Sequence, residues 1–454
     1  MTGSQHAELK GHLFPGDGEE AVAVALCGRC GSDALMVHEI RLIPHEACDR
    51  SPLRVTWPPT MVGDLLSRAN TGAMAVLKLH SHPNGLEEFS GTDDHSDRVF
   101  FESVFGWVDD DRPHASAVML PNGRVFARTV HTDGAFGVVS KVSIIGDDIA
   151  IWANDVDEAV PGFAVRHAQL FGAGTTNLLR RLTIGVAGCS GTGSPLVEQL
   201  ARLGVGELVL VDPDHVEEKN LNRIVGATME DARNARPKVQ VLARSVEAMG
   251  LGTIVRPYAS ELQDRDALGA LAKCDVVFGC MDSLAGRNVL NRLARYYTIA
   301  YIDVGVKLDG DGKGGVDQVA GSVHYLRPDG AGLMQRGVFS SEALRAENLR
   351  DTDPEDYADQ VQRGYIRGIR EDRPAVVSVN SYFASLAVLE LLSRLHEFRS
   401  DDNAAFAAQR ISLTNTLWQR EADQGASNRE LKMVGRGDDS PLLGMPALGE
   451  VGIR

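Results

Sequence analysis

The stretch from Leu182 to Asp212, LTIGVAGCSGTGSPLVEQLARLGVGELVLVD, constrains the fold more than any other part of the chain. An apolar run enters a turn containing Gly188, Gly191 and Gly193. An amphipathic segment follows, and a second apolar run ends at Asp212, nineteen residues after Gly193. Apolar strands alternating with amphipathic helices bury both faces of a sheet, so the pattern predicts a parallel, doubly wound α/β architecture. It continues through VQVLARSVEAMG, DVVFGCMD, RNVLNRLARYY and IAYIDVGV. A long helix is predicted from Ala375 to about Leu395, then a strand around Arg410 to Thr416. Small residues in the turn let the backbone approach a phosphate at a helix N-terminus, and Asp212 is placed to take ribose hydroxyls.

The N-terminal part reads differently. From about His12 to Val130, short apolar runs such as AVAVALC and AVLKLHSH alternate with turn-rich pieces, which predicts a mixed sheet with few helices. The acidic run GDDIAIWANDVDEAV, within residues 131–160, reads as a linker. The polar stretch from Pro328 to Pro374 is long for a plain connection and reads as a functional or mobile loop. Domains are therefore expected at 1–150 and 160–420, with 421–454 as a flexible tail. In a chain of 454 residues, 43% hydrophobic and 24% charged, there is composition enough for two globular cores. The formal net charge of -16 repels phosphate backbones and weighs against nucleic acid or anionic membrane as partner. No run suffices to span a bilayer, the first residues lack a secretory pattern, and the six cysteines make no disulfide framework. The expected compartment is the cytoplasm.

One constellation of chemistry lies in LHSHPNGLEEFSGTDD, where His80 and His82 are two apart and Ser90 and Asp93 follow. On a strand, residues two apart share a face, so both imidazoles can meet one ion while the next turn brings Asp93 to it. Two His and one carboxylate leave a fourth zinc position open to water, the arrangement of a hydrolytic site. This spacing, with Pro83 after the second His, resembles the JAMM (MPN-type) metallopeptidases, which cleave ubiquitin-like proteins at their C-terminal glycine. The resemblance implies a mixed α/β, cytidine-deaminase-like domain. It also implies zinc on His80, His82 and Asp93, Ser90 helping to hold the tetrahedral intermediate, and a glutamate in the first element as general base. GEEAVAVALCG supplies that glutamate as Glu20, in better register with the apolar run than Glu19; Glu39 is a weaker candidate.

The second constellation extends the glycine turn. After Asp212 come PDHVEEKNLNRI, then RPK at Arg236 to Lys238, then GCMDS and Arg287. A dinucleotide dehydrogenase has no need of these groups. An adenylating enzyme must offset triphosphate charge with Arg and Lys and hold magnesium with a carboxylate. From Arg166 to Leu395 the residues resemble the ThiF/MoeB and ubiquitin-activating enzyme superfamily, which adenylates the C-terminal glycine of ubiquitin-fold proteins. By that resemblance Gly188, Gly191 and Gly193 form the ATP loop and Asp212 binds ribose. Asn220, Arg223 and Lys238 meet the phosphates, and Asp282 holds magnesium. Arg166 is inserted into a partner subunit's site, which implies a homodimer. Ser190 replaces the usual second glycine, and Ile224 stands where Gln is common.

Thioester-forming relatives keep a cysteine in the loop after the central sheet, but residues 336–373 contain none. Cys280 lies ahead of Asp282, where a buried thiol is the ordinary role, and Cys27 and Cys30 lack the second pair of a structural zinc site. Both resemblances imply one substrate, the C-terminal tail of a ubiquitin-like protein, which one domain would cut and the other adenylate. A conjugating enzyme is a further candidate partner, and such fusions are associated with bacterial conjugation systems and antiphage operons. Sulfur-carrier activation for cofactor biosynthesis is the alternative enzymatic reading. A dimeric binding platform with inactive sites is the alternative of another class.

Overall fold

The computed structural model describes residues 1–153, 159–363 and 374–449. The chain divides into two compact units: Met1–Val156 with Arg295–Thr298 and Asn428–Arg454, and Asp157–Ala294 with Ile299–Ser427.

The first unit carries α1 (Gly3–Leu13), β1 (Val22–Cys30), β2 (Ala34–Leu42), the short pair β3 (Asp49–Ser51) and β4 (Arg54–Thr56), and α2 (Gly63–Thr71). Next come β5 (Ala75–Ser81), α3 (Gly91–Trp107), β6 (His114–Met119), β7 (Val125–Val130), β8 (Phe136–Val138), β9 (Lys141–Ile145) and β10 (Ile149–Ala153). Its main sheet has the order β2-β1-β5-β6-β7-β8, with only β5 and β6 parallel. The apolar run of β1 is continuous because the strand separates two cores. Ala23, Ala25 and Cys27 pack with Leu9 and Leu13 of α1. Val22, Val24 and Leu26 pack with Leu65 and Leu66 of α2 and Phe101 and Val104 of α3. Each such Val, Leu or Phe contributes about 1.5–3 kcal/mol on full burial.

The second unit carries α4 (Val165–Leu179), β11 (Thr183–Ala187), α5 (Gly193–Leu203), β12 (Glu207–Val211), α6 (Met229–Arg233), α7 (Lys238–Met249), β13 (Ile254–Tyr258), α8 (Arg265–Leu271), β14 (Val276–Gly279) and α9 (Leu284–Tyr296). It continues with β15 (Ala300–Gly310), β16 (Val316–Leu326), α10 (Ser341–Thr352), α11 (Pro354–Gln362), α12 (Val377–Leu395), β17 (Ala408–Ser412) and β18 (Leu417–Glu421). The sheet order is β13-β12-β11-β14-β15-β16-β17-β18. The first five strands are parallel, as the strand and helix alternation predicts, and the last three add an antiparallel edge.

Three expectations about connections are corrected. The expected linker at 131–160 contains β8, β9 and β10, and Ile144, Ile145 and Ile149 are buried; its residues 154–158 lie outside the described residues. The expected loop before Pro374 contains α10 and α11, started by Ser340, whose side chain accepts from Ala343 N, and Asp353, which accepts from Asp356 N; residues 364–373 lie outside the described residues. The expected flexible tail does not begin at 421. Glu421 ends β18, and beyond a short helix α13 (Asn428–Leu431) the chain lies along β1, where Gly28 N donates to Gly435 O at 3.0 Å and Asp438 N to Arg29 O at 2.8 Å. Val434 and Leu443 are buried there, which offsets the cost of ordering a Gly-rich segment. Among the described residues, no helix is long and apolar enough to cross a membrane.

Candidate functional sites

In the first unit β5 delivers His80, and His82 follows directly after the strand. Asp93 arrives from the first turn of α3, whose N-cap is Ser90. Ser90 Oγ accepts from Asp93 N at 3.2 Å and Ser90 N donates to Asp93 Oδ2 at 2.7 Å, a reciprocal cap that fixes the carboxylate. His80 Nε2 lies 3.0 Å from Asp93 Oδ1, His82 Nε2 lies 3.4 Å from Asp93 Oδ2, and the two Nε2 atoms are 3.2 Å apart. All three residues are buried. They are the one group of this kind among the described residues. Donor atoms on one tetrahedral zinc stand roughly 3.3–3.6 Å apart, given bond lengths of about 2.0–2.2 Å. The observed spacings are close to that, so the residues present fit a zinc ion.

His82 Nδ1 lies 2.8 Å from the Leu86 carbonyl oxygen, which only accepts, so Nδ1 carries a hydrogen and Nε2 faces the cluster. Burial lowers the pKa of His80. Burial opposes but does not outweigh the hydrogen bonds from His82 to Asp93 and Leu86, and its pKa is raised. For Asp93, burial likewise loses to the hydrogen bonds from both imidazoles, and its pKa is lowered.

Glu20 precedes β1, which pairs with β5 so that Val22 faces His80 and Ser81 N donates to Ala21 O. That register carries Glu20 toward His82. Glu20 is 4% exposed, and burial pushes its carboxyl up to about 7 despite the pull of His82. The other two glutamates are placed elsewhere. Glu39 forms a two-pronged ion pair with Arg68, and Glu19 lies 3.8 Å from Arg50. Cys27 and Cys30 are both buried.

In the second unit the glycine turn joins β11 to α5 as predicted. Gly188 has φ +92, a conformation that L side chains rarely adopt, and a Cβ there would lie 2.6 Å from Cys280 O. A Cβ on Gly193 would lie 1.8 Å from Gly188 O, and one on Gly191 would meet Asn380 Nδ2 at 2.9 Å and Arg223 Cδ at 3.0 Å. Asp212 is buried and ties the turn down: Oδ2 accepts from Cys189 N at 2.6 Å and Oδ1 from Asp214 N at 2.9 Å. Burial raises its pKa. Lys238, at the start of α7, donates to Asp214 Oδ2 at 2.6 Å and lies 3.9 Å from Asp212 Oδ1. Asn220 is buried and accepts from Glu217 N at 3.0 Å. Arg223 donates to Lys219 O at 2.9 Å, and the exposed Asp282 follows β14, three residues past Gly279. Gly188, Asp212 and Asp282 thus follow the C-terminal ends of adjacent parallel strands, where ligands of open α/β sheets bind.

A model of the ThiF family matches residues 164–431, more than half of the chain. The chain belongs to the ThiF family. Over 145 residues it is 31% identical to the SAMP-activating enzyme E1 of Haloferax volcanii, covering 32% of this chain and 49% of that protein. Over 116 residues it is 33% identical to the sulfur carrier protein adenylyltransferase of Thermus thermophilus, covering 26% of this chain and 42% of that one. These matches span half or less of the length of either relative. A solved structure of E. coli MccB with ATP is similar at 18% identity and a TM-score of 0.45, covering 59% of this chain and 73% of that chain. The ThiF match begins at residue 164 and leaves the histidine cluster outside it.

Arg166 is in the first turn of α4, exposed, with its guanidinium donating to Gln169 Oε1 at 3.0 Å. Other residues of the ThiF unit escaped the sequence reading. Asn380 of α12 donates to Thr192 Oγ1 at 3.0 Å while its own Oδ1 is buried without a partner among the described residues, and Asp214 holds Lys238. Asp214 is two residues past Asp212 in the same quoted motif but beyond the end of β12, where strand parity no longer applies.

Proposed function

We propose that this chain adenylates the C-terminal carboxylate of a ubiquitin-like or sulfur-carrier protein, and that its N-terminal unit is a zinc peptidase acting on the same kind of tail. Adenylation is supported by the ThiF match over a unit in which the glycine turn, Asp212 and Asp282 sit at neighbouring strand ends. The names of the H. volcanii and T. thermophilus relatives point to the substrate class.

In this reading ATP lies on the turn, with its phosphates at the N-terminus of α5 and its ribose toward Asp212. A carboxylate oxygen of the tail attacks the α-phosphorus, the bond from that phosphorus to the bridging oxygen breaks, and pyrophosphate leaves with the electron pair. Arg223 and Lys238 offset the charge that develops, Lys238 on release from Asp214, and Asn220 adds a donor. Magnesium, held by Asp282, would neutralise triphosphate charge. Residues 336–373 hold no cysteine, and burial pushes the Cys280 thiol up, which makes it a poor nucleophile. The adenylate therefore passes on without an enzyme thioester. ATP-pyrophosphate exchange by the purified chain, with magnesium and small proteins ending in diglycine, tests this. Asp282→Ala or Lys238→Ala should cost about 10²–10³ in rate. No exchange by the wild type with any such protein would overturn it.

The peptidase reading rests on the buried convergence of His80, His82 and Asp93. Zinc there would supply Lewis acidity and lower the pKa of water. Glu20, poised near neutrality, would take the water proton and return it to the leaving amine. Ser90 Oγ accepts from Asp93 N and keeps its hydroxyl hydrogen for the developing oxyanion. Cleavage of a diglycine-tailed fusion that stops with a chelator and returns with zinc is the expected result.

A further inference from the structure

The face of β5 that carries His80 also carries Lys78, one strand period earlier. Lys78 Nζ donates to Asp97 Oδ1 and to Ser96 Oγ, each at 2.8 Å. Asp97 lies one helical turn after Asp93 on α3, and its Oδ2 accepts from Arg128 Nη2 at 2.7 Å. Arg128 Nη1 reaches Asp94 Oδ1 at 2.5 Å, and its guanidinium lies 3.9 Å and 3.6 Å from the ring centroids of Phe89 and Phe136. Lys78, Asp97 and Arg128 are all buried.

Burying two ion pairs is a weak source of stability, because desolvation offsets most of the Coulomb gain and apolar residues would fill the space as well. Placement gives the cluster a different value. The ligand atoms come from two elements, the β5 end and α3, and the Lys78–Asp97 pair joins those same two elements one repeat away. The cluster is also neutral in itself, with two cations against Asp94 and Asp97. The charge of Asp93 stays uncompensated by it and is left for a dication.

We propose that Lys78, Asp97 and Arg128 are positioning residues that rivet β5 to α3, so that the two imidazoles and the Asp93 carboxylate are set at zinc spacing before the metal arrives. This rests on the zinc reading above. It extends that reading to residues that touch neither metal nor substrate.

The test uses the full chain, zinc affinity by competition with a chromophoric chelator, and the visible absorption of the cobalt(II)-loaded protein. Lys78→Met should weaken zinc binding by about 10- to 100-fold and weaken and broaden the cobalt bands, and Lys78→Arg should recover part of both. A Lys78→Met chain with wild-type affinity and wild-type bands overturns the proposal and leaves the pair a fold support only. Should Lys78→Met fail to fold, Arg128→Lys decides by the same criteria, since it keeps the charge but cannot span Asp94 and Asp97. A wild-type chain that takes up neither metal overturns the zinc reading itself, and with it this inference, before any variant is compared.

Discussion

His82 and Leu86 are joined by a 2.8 Å hydrogen bond from imidazole Nδ1 to a carbonyl oxygen, and this bond decides which nitrogen of the ring faces His80 and Asp93. With Nδ1 held by Leu86, Nε2 is the atom His82 offers to a metal, while Glu20 is a buried carboxyl without a ligand's place in the group of three. The two residues should therefore fail in different ways. His82→Ala should lose zinc and fusion cleavage together. Glu20→Ala should keep one zinc per chain and lose about 10²–10⁴ in cleavage rate, the range of general-base catalysis. Metal analysis beside a cleavage assay separates the two, and a full-rate Glu20→Ala enzyme would remove Glu20 as the base.

Gly193 offers a steric test of the nucleotide turn. With a Cβ 1.8 Å from Gly188 O, Gly193→Ala cannot keep the turn closed on α5. ATP binding, read by calorimetry, should be lost or fall at least tenfold. Zinc content should not change, because the histidine cluster belongs to the other unit. Wild-type ATP affinity in this variant would show that the phosphates do not sit on the turn.

How far these sites were legible in the sequence depends on whether their parts are contiguous. Gly188 to Asp212 is one strand, turn, helix and strand, so local periodicity gives both the fold and the turn. His80, His82 and Asp93 fall within fourteen residues, and strand parity plus one turn unites them. Lys78 lies in the same quoted run, but a lone lysine on an apolar strand discloses nothing until Asp97 and Arg128, from a helix and another strand, are placed around it. The antiparallel edge β16 to β18 was mostly missed, because β18 is exposed along its length and carries no apolar alternation. Helices α10 and α11 were hidden by their charge, and the segment after Asn428 by its glycines, which read as disorder when no packing surface is in view.

Stability should show one titration that belongs to a structural histidine. His114 is fully buried, its Nδ1 accepts from Val76 N at 3.0 Å, and burial, with the nearby Arg29 cation adding to it, lowers its pKa to about 4. The unfolded state takes up this proton first, so stability is full above about 6.5 and falls as pH drops toward 4. The loss available from this group is up to about 3 kcal/mol, at 1.36 kcal/mol per unit. Denaturant melts of the metal-free chain between pH 7 and 4 should show it. A folded His114→Gln variant should have a flatter profile, and an unchanged slope would assign the acid sensitivity to other groups.

The last prediction concerns Arg166. Its guanidinium is exposed and donates to Gln169, a neighbour three residues on in the same helix, a surface contact that costs little to break. In the related family this arginine completes a partner subunit's phosphate site, and a cation acting in trans needs an exposed side chain of this kind. A two-fold pair would satisfy both sites through one self-complementary contact, which makes a C2 dimer the simplest assembly. Arg166→Ala should stay folded and dimeric by light scattering but lose ATP-pyrophosphate exchange. Mixed with Asp282→Ala under conditions of subunit exchange, it should regain activity, because a heterodimer holds one site with both Asp282 and the partner's arginine intact. With random reassortment about half of the dimers are mixed and each has one working site, so roughly a quarter of wild-type exchange is expected. A monomeric wild type, or no recovery despite proven subunit exchange, would place Arg166 in cis or outside the reaction.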